Sequence, residues 1–582
     1  MTAYAQSLSQ RPLSTSQNRG AGDLKSLDRK VNRVRFPALH QTWTEDGKNL
    51  TMADIDDVPR SAPGPEPRFV ALRDAALILG LQFLLLVFRL GQVPLIGPDE
   101  PRYARVAVEM ARANEFVTPT LAGEPWLEKP PLYYWLAGLG YRLIGENEIA
   151  ARWPAVFAAL LMTGFTGLVG ARLFGRSCGR LAMILLATSP LGFAYGRAAT
   201  MDMLVAAFIA GASGLLVLSL HGIAGRSAVP AAWVLMALAV LAKGPIGLLI
   251  PAGIAVAAGL AHRRFDLSKV VSPLAAVLFV AIAGPWFAAI YADQGFHFIE
   301  VFILNHNLAR FTSTLHNHPG PIYYYLPVLL LGVFPWTGLF PAAIAAALRA
   351  ERKAALSLLA WIVVPLVLFS LAGSKLPGYI VPCLPPLAIA LGLSARVLFD
   401  DDEPRGARTA GLIGLVVSAT VVALVIRATR EGEPWGRSAL APAVWLLATT
   451  FAASRAFEQA RREGLRILAI GAAGFLLLLT LVAPPVLEAM ESGRRLFLPA
   501  QGREVFVVGA WRTAWMSGYF YNDGRVREME SLQRALDLVH EGPRLILFGP
   551  AEWRKVKGSG RYSMLELAQG ARGSVLVRIS TR

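Results

Sequence analysis

Apolar runs close to the ~20 residues that a helix needs to cross a bilayer recur along nearly the whole chain. They fall at about 70–90, 150–173, 181–195, 203–220, 230–243, 245–261, 273–291, 321–343, 355–372, 380–398, 409–427, 439–454 and 466–486. Backbone inside hydrocarbon must satisfy its own hydrogen bonds, so runs of this length fold as helices. The expected fold is an α-helical polytopic membrane protein of about thirteen spans.

A formal charge of +17 would suit a nucleic-acid binder, but the basic residues lie mostly in short loops between spans. Arg172, Arg176 and Arg180 form one such loop and Arg349, Arg352 and Lys353 another; a Lys/Arg excess of this kind marks the cytoplasmic side. No nucleic-acid partner is expected, and an anionic lipid substrate suits the charge as well. Two cysteines, Cys178 and Cys383, are too few for a disulfide framework. Residues 1–67 are polar, rich in Ser, Pro and charge, and lack an apolar core. They are expected to be a disordered cytoplasmic tail rather than a signal peptide, with Met52 a candidate start.

Alternation from those cytoplasmic loops puts several polar stretches together on the other face. They are the loop 91–149, the turn before Asp202, the break Lys243-Gly244-Pro245, the loop 292–320 and the turn Ser374-Lys375-Leu376-Pro377-Gly378-Tyr379. Acids, bases and aromatics gathered where spans surface mark a candidate site. Within the transmembrane part, 68–489, the run Pro98-Asp99-Glu100-Pro101-Arg102-Tyr103 opens a helix, with Pro101 expected at its first position. Tyr103, Val106, Ala107 and Met110 fall on one side and Arg102, Arg105, Glu109 and Arg112 on the other, an amphipathic pattern suited to the membrane interface. Residues 490–582 differ in character: strand-like runs at 505–508, 545–548 and 575–579 alternate with helical patterns. They predict a small α/β domain outside the membrane, docked on the bundle.

Each polar residue also has a plainer reading. Asp99 and Asp202 suit helix caps, Arg102 and Lys129 suit anchors to anionic headgroups, and Lys375 suits snorkelling at the interface. Trp126, Tyr133, Tyr134 and Trp135 suit an aromatic belt.

The motifs Pro98-Asp99-Glu100-x-Arg102-Tyr103, Glu124-Pro125-Trp126-Leu127-Glu128-Lys129-Pro130-Pro131-Leu132-Tyr133-Tyr134-Trp135 and Ala151-Arg152-Trp153-Pro154 carry a likeness. So do Asp202, Lys243-Gly244-Pro245, Arg310-Phe311, His318-Pro319-Gly320-Pro321 and Lys375-Leu376-Pro377-Gly378-Tyr379, in that order. Over about 70–490 the chain resembles the bacterial aminoarabinose transferase branch of the GT-C glycosyltransferases, related to the protein O-mannosyltransferases. The resemblance implies an integral-membrane enzyme moving a sugar, 4-amino-4-deoxy-L-arabinose in that branch, from a polyprenyl-phosphate donor to lipid A or another envelope acceptor. The reaction would run on the periplasmic face of the inner membrane, where the terminal domain would also lie.

The resemblance further implies Asp99, Asp202 and Glu100 as catalytic acids and Arg102, Lys129, Tyr103, Lys375 and Tyr379 around the donor phosphate. Glu128 would share a divalent metal (Zn, Mg or Mn) with a later histidine, among His306, His316 and His318. Where the family often has tyrosine, this chain has Trp126. A mannose-type transferase acting on protein or glycan is the alternative within the class. A lipid or solute transporter is the alternative outside it, and would predict mid-membrane charges and repeated halves.

Overall fold

The computed structural model describes residues 69–262, 266–309, 320–400, 405–500 and 502–582. The expected tail 1–67, with Met52, lies outside the described residues, as do Arg310, His316 and His318. Among the described residues, nine helices are long and apolar enough to cross a membrane, or eleven if each of two bent pairs is one span. The pairs are Arg176–Ala187 with Pro190–Gly196, bent by 61°, and Tyr325–Gly332 with Trp336–Arg349, bent by 102°. Two further apolar helices, Ala228–Lys243 and Ile246–Ala261, have 16 residues each.

The bundle is layered by burial. Asp202–Leu220 has 89% of its most apolar stretch buried and Glu148–Phe174 has 67%, whereas Leu72–Gln92 has only 17%. The first two are inner helices and the last is peripheral. Glu148–Phe174 starts at an Asn147 cap whose side chain accepts from Ala150 N at 3.0 Å. It runs against Arg176–Ala187 so closely that a Cβ on Gly170 would lie 3.2 Å from the Gly179 Cα, the close approach that small residues allow between membrane helices.

Between the first two spans, the helices Asp99–Ala113 and Leu132–Ile144 pack on each other, joined by a short antiparallel ladder of β1 (Thr120–Leu121) and β2 (Glu124–Pro125). Asp99–Ala113 buries Tyr103, Val106, Ala107 and Met110, the apolar stripe of the sequence pattern. Its start differs from expectation. The helix begins at Asp99, so Pro101 is its third residue, still in the first turn where a missing N–H breaks no bond.

The expected loop 292–320 is corrected at its start. Helix Pro273–Gln294 is followed by the short turn Phe296–Phe298 and the π-helix Ile299–Ala309, a wide-turn geometry frequent at functional sites.

Beyond helix Arg461–Glu491, strands β3 (Val505–Val508), β4 (Val526–Glu528), β5 (Arg544–Phe548), β6 (Tyr562–Gln569) and β7 (Val575–Thr581) form one sheet in the order β4-β3-β5-β7-β6. β3 is parallel to β4 and β5, with Val505 opposite Val526 and Leu545, while β7 runs antiparallel to β5 and β6. One face is covered by Leu496, Phe497, Trp515 and Met516, the other by Leu536 and Val539 of helix Leu532–His540 and by Val556.

Candidate active site

Three backbone devices bring polar groups from distant elements together. Helix Ala228–Lys243 ends at a glycine, Gly244, with φ +87°, and Pro245 caps the next helix, so Lys243 stands at the break between two helices. Helix Asp202–Leu220 carries Asp202 at its first residue, where the helix dipole favours an anion. Gly378 closes the gap to a third element: a Cβ there would lie 2.7 Å from the Tyr195 ring and 2.9 Å from the Asp202 carboxyl carbon. Asp202 and Lys243 form a short ion pair, and the Lys243 ammonium sits 4.9 Å from the centre of the Tyr379 ring.

Lys243 and Tyr379 share a cleft with Glu128, Lys129, His306, Ser374, Ile246, Phe302, Phe369 and Ala372. It encloses about 610 Å³ of atom-free space, its mouth included. Lys129 is buried and donates to the Glu128 carbonyl at 3.0 Å. His306 Nε2 lies 3.8 Å from Glu128 Oε1. Two lysines together with the apolar side chains of Ile246, Phe302, Phe369 and Ala372 give the lining an amphipathic character that matches a lipid-linked anion.

Asp99 and Arg102 stand beside the cleft rather than in its wall. Arg102 Nη2 pairs with Asp99 Oδ1 at 2.5 Å, its Nε donates to the Pro98 carbonyl at 2.8 Å, and the guanidinium lies 5.3 Å from the centre of the Trp126 ring. Burial pulls the Arg102 guanidinium down, but Tyr103, Asp99 and Glu128 outweigh it and hold it above its ordinary value. Arg102 thus remains a cation and lies in the field of Glu128 on the cleft wall. The Asp99 side chain is 39% exposed and caps nothing: the cap position is Pro98, with no side-chain bond. The plain reading of Asp99 as an N-cap does not hold.

The other expected residues fall in different places. Glu100 lies outside the cleft lining and braces backbone. Its Oε2 accepts from Ile96 N at 2.9 Å and from Arg152 Nη2 at 2.7 Å, and its Oε1 accepts from Ala199 N at 2.8 Å. Arg152, 1% exposed, also donates to the carbonyls of Leu90, Val93 and Pro94. Tyr103 is buried outside the cleft lining, with its ring 6.4 Å from both Tyr133 and Tyr134. Burial, then the charge of Asp99, raises its phenol well above the ordinary range, so it stays neutral. Lys375 follows Ser374 of the cleft wall, but its ammonium is buried and donates to the Ala372 carbonyl at 2.8 Å. Trp126 Nε1 donates to the Tyr134 hydroxyl at 3.0 Å.

Glu128 and His306 are spaced as two donors of one metal could be, but no group of three His, Cys, Asp or Glu is present among the described residues. His318 lies outside them. Sequence reasoning passed over Lys243 as a site residue, although a lysine at the break between two apolar helices was its signal, and it passed over Arg152 as the partner of Glu100.

Residues 128–288 match the dolichyl-phosphate-mannose-protein mannosyltransferase family. An undecaprenyl phosphate-alpha-4-amino-4-deoxy-L-arabinose arabinosyl transferase of Sodalis glossinidius is 32% identical over 381 residues, which is 63% of this chain and 67% of that relative. The corresponding transferase of Erwinia tasmaniensis is 33% identical over 349 residues, 58% of this chain and 62% of the relative. In structure the chain is similar to ArnT from Cupriavidus metallidurans bound to undecaprenyl phosphate, with a TM-score of 0.73 at 23% identity over 88% of this chain and 98% of that one. The apo state of the same protein gives 0.72 over 86% and 97%. Those two structures carry the fold and the sequence relatives carry the lineage: the chain belongs to the family of the undecaprenyl phosphate-aminoarabinose arabinosyl transferases, within the GT-C glycosyltransferases.

Proposed function

We propose that the cleft is where a polyprenyl-phosphate-linked sugar, 4-amino-4-deoxy-L-arabinose, is transferred to lipid A or a related envelope acceptor. The cleft would open on the periplasmic face of the inner membrane. If Ala228–Lys243 and Ile246–Ala261 cross together with the nine long helices and two bent pairs, the total is thirteen crossings and the terminal sheet would lie on the same side as the cleft.

The observation that carries this reading is the pairing of Lys129 and Lys243 with an apolar wall in one cavity. As the glycosidic bond breaks, charge grows on the leaving phosphate. Preplaced ammonium groups in a partly dry site stabilise that charge more than water would. Phe302, Phe369 and Ile246 suit the first isoprene units. Asp202 holds Lys243, and Arg102 adds a fork-shaped cation beside the cleft. Asp99 faces the acceptor. A hydroxyl acceptor would need it as a general base, worth about 10²–10⁴-fold, whereas an acceptor phosphate is already ionised and would need only orientation. A divalent metal held by Glu128 and His306 would add Lewis-acid help at the phosphate; every step above stands on the protein's own groups.

The test is the purified protein in liposomes with undecaprenyl-phosphate aminoarabinose and lipid A, read by mass spectrometry. Addition of one aminoarabinose to lipid A, lost in Lys129→Ala, is the expected result. Solute flux without glycosylated product, or transfer to protein alone, would overturn the assignment.

A further inference from the structure

The terminal domain reaches back across the chain to the helix that carries Asp99 and Arg102. Asp523 accepts from Arg105, in a short ion pair, and from Arg112 Nη1 at 2.8 Å. These two arginines lie seven residues apart, two turns along one stripe of helix Asp99–Ala113. Gly524 lies against Arg105, where a Cβ would sit 3.2 Å from its Nε. Arg105 is steadied from its own helix by Glu109 at 2.6 Å, and Glu109 also accepts from Thr120, Ala122 and Gly123 of the β1–β2 hairpin.

A second grip lies at the start of the same helix. The Tyr521 hydroxyl accepts from Leu95 N at 2.8 Å and donates to Glu148 at 3.0 Å. Gly97 N donates to the Glu491 carbonyl at 3.2 Å. Tyr519, from the same turn, lies within electrostatic range of Arg102.

We infer that the segment Gly518–Gly524 is a positioning element for catalysis: Asp523 fixes the roll of helix Asp99–Ala113, and Tyr521 fixes its entry, so that Asp99 and Arg102 are aimed at the cleft. Two bonds seven residues apart on one stripe oppose rotation about the helix axis, and a bond at the entry opposes sliding. A misplacement of about 1 Å at reacting groups can cost on the order of 10²-fold in rate, so a partial loss of this grip is read in turnover rather than in binding. The inference rests on the proposed sugar transfer at Asp99.

The experiment compares Asp523→Ala, Tyr521→Phe, Asp523→Glu and a control, Glu530→Ala, in the full-length protein in liposomes. Glu530 pairs with Arg534 on an exposed face of the same domain. The expected result is a kcat about tenfold lower for Asp523→Ala and Tyr521→Phe, with donor KM within about twofold. Asp523→Glu should recover most of the rate and Glu530→Ala should match wild type. Tyr521→Phe keeps the ring, so it reports even where Asp523→Ala yields little folded protein. Wild-type kcat in folded Tyr521→Phe, a loss expressed in KM alone, or an equal loss in Glu530→Ala would overturn the inference. Asp99→Asn, run alongside, separates the two claims: if it retains transfer, the underlying site assignment fails instead.

Discussion

The knot around Glu100 and Arg152 and the cleft wall around Asp202 and Lys243 each pair one carboxylate with one cation, yet their surroundings differ. In the knot the Arg152 and Glu100 side chains are 1% and 5% exposed, both Glu100 oxygens are taken, and the Arg152 Nη atoms also reach three backbone carbonyls. At the cleft Lys243 and Asp202 are 12% and 16% exposed, and Lys243 meets an aromatic face and open space. Burying a charge is costly unless every partner is supplied. A pair whose carboxylate is fully engaged, with only Arg152 Nε left unpartnered, therefore holds backbone in place, and a pair that borders open space can meet a substrate charge. Asp99, next to Glu100 in the chain, belongs with the second kind because its carboxylate is far more exposed.

Breaking the knot should have the largest effect. Arg152→Ala strands Glu100 and three backbone carbonyls and should cost about 3–5 kcal/mol of stability, read by chemical unfolding or by loss of folded yield. Arg152→Lys should recover little, since an ammonium cannot span the fork. Asp99→Asn should do the opposite: a fall of at least about 100-fold in kcat with an unchanged melting temperature. Near-normal turnover in the folded variant would move Asp99 into the same class as Glu100. Lys243→Met should sit between the two, with donor KM raised about tenfold by loss of a charge-assisted contact and a smaller stability loss than Arg152→Ala.

The smallest effect is expected at the exposed end of the scale, Asp523. Burial raises its carboxyl, but bonds from Arg105 and Arg112 outweigh that and hold it below the ordinary aspartate range. A depressed value means the contribution is present above the unfolded value of about 3.9 and is lost as pH falls through the lower folded value. The melting-temperature gap between wild type and Asp523→Asn should therefore stay constant from neutral pH down to about 5 and close in stronger acid. A gap that closes near neutrality would contradict the arginine contacts.

Much of this architecture is legible in the residues. Apolar run lengths locate the helices, the stripe Tyr103, Val106, Ala107 and Met110 gives the buried face of Asp99–Ala113, and strand-like runs locate β3, β5 and β7. What is not legible depends on pairing across distance or on bends. Nothing local to Glu100 announces Arg152, 52 residues away, or the Ala199 amide, 99 residues away. Hydropathy does not register a 102° bend at Val333–Pro335, because the two arms read together as one apolar run. Lys375 looks like a site lysine in sequence, and only the turn geometry shows its ammonium folded onto the Ala372 carbonyl. The wide-turn helix Ile299–Ala309 is hidden for a related reason: its polar residues resemble a loop until the backbone is seen.

The grip of Asp523 on Arg105 joins residues 418 positions apart. A ribosome releases the amino-terminal partner long before the carboxy-terminal one, so the membrane receives the spans first and the latch last. A chain cut short before Asp523 would carry helix Asp99–Ala113 without the partner of Arg105 and Arg112.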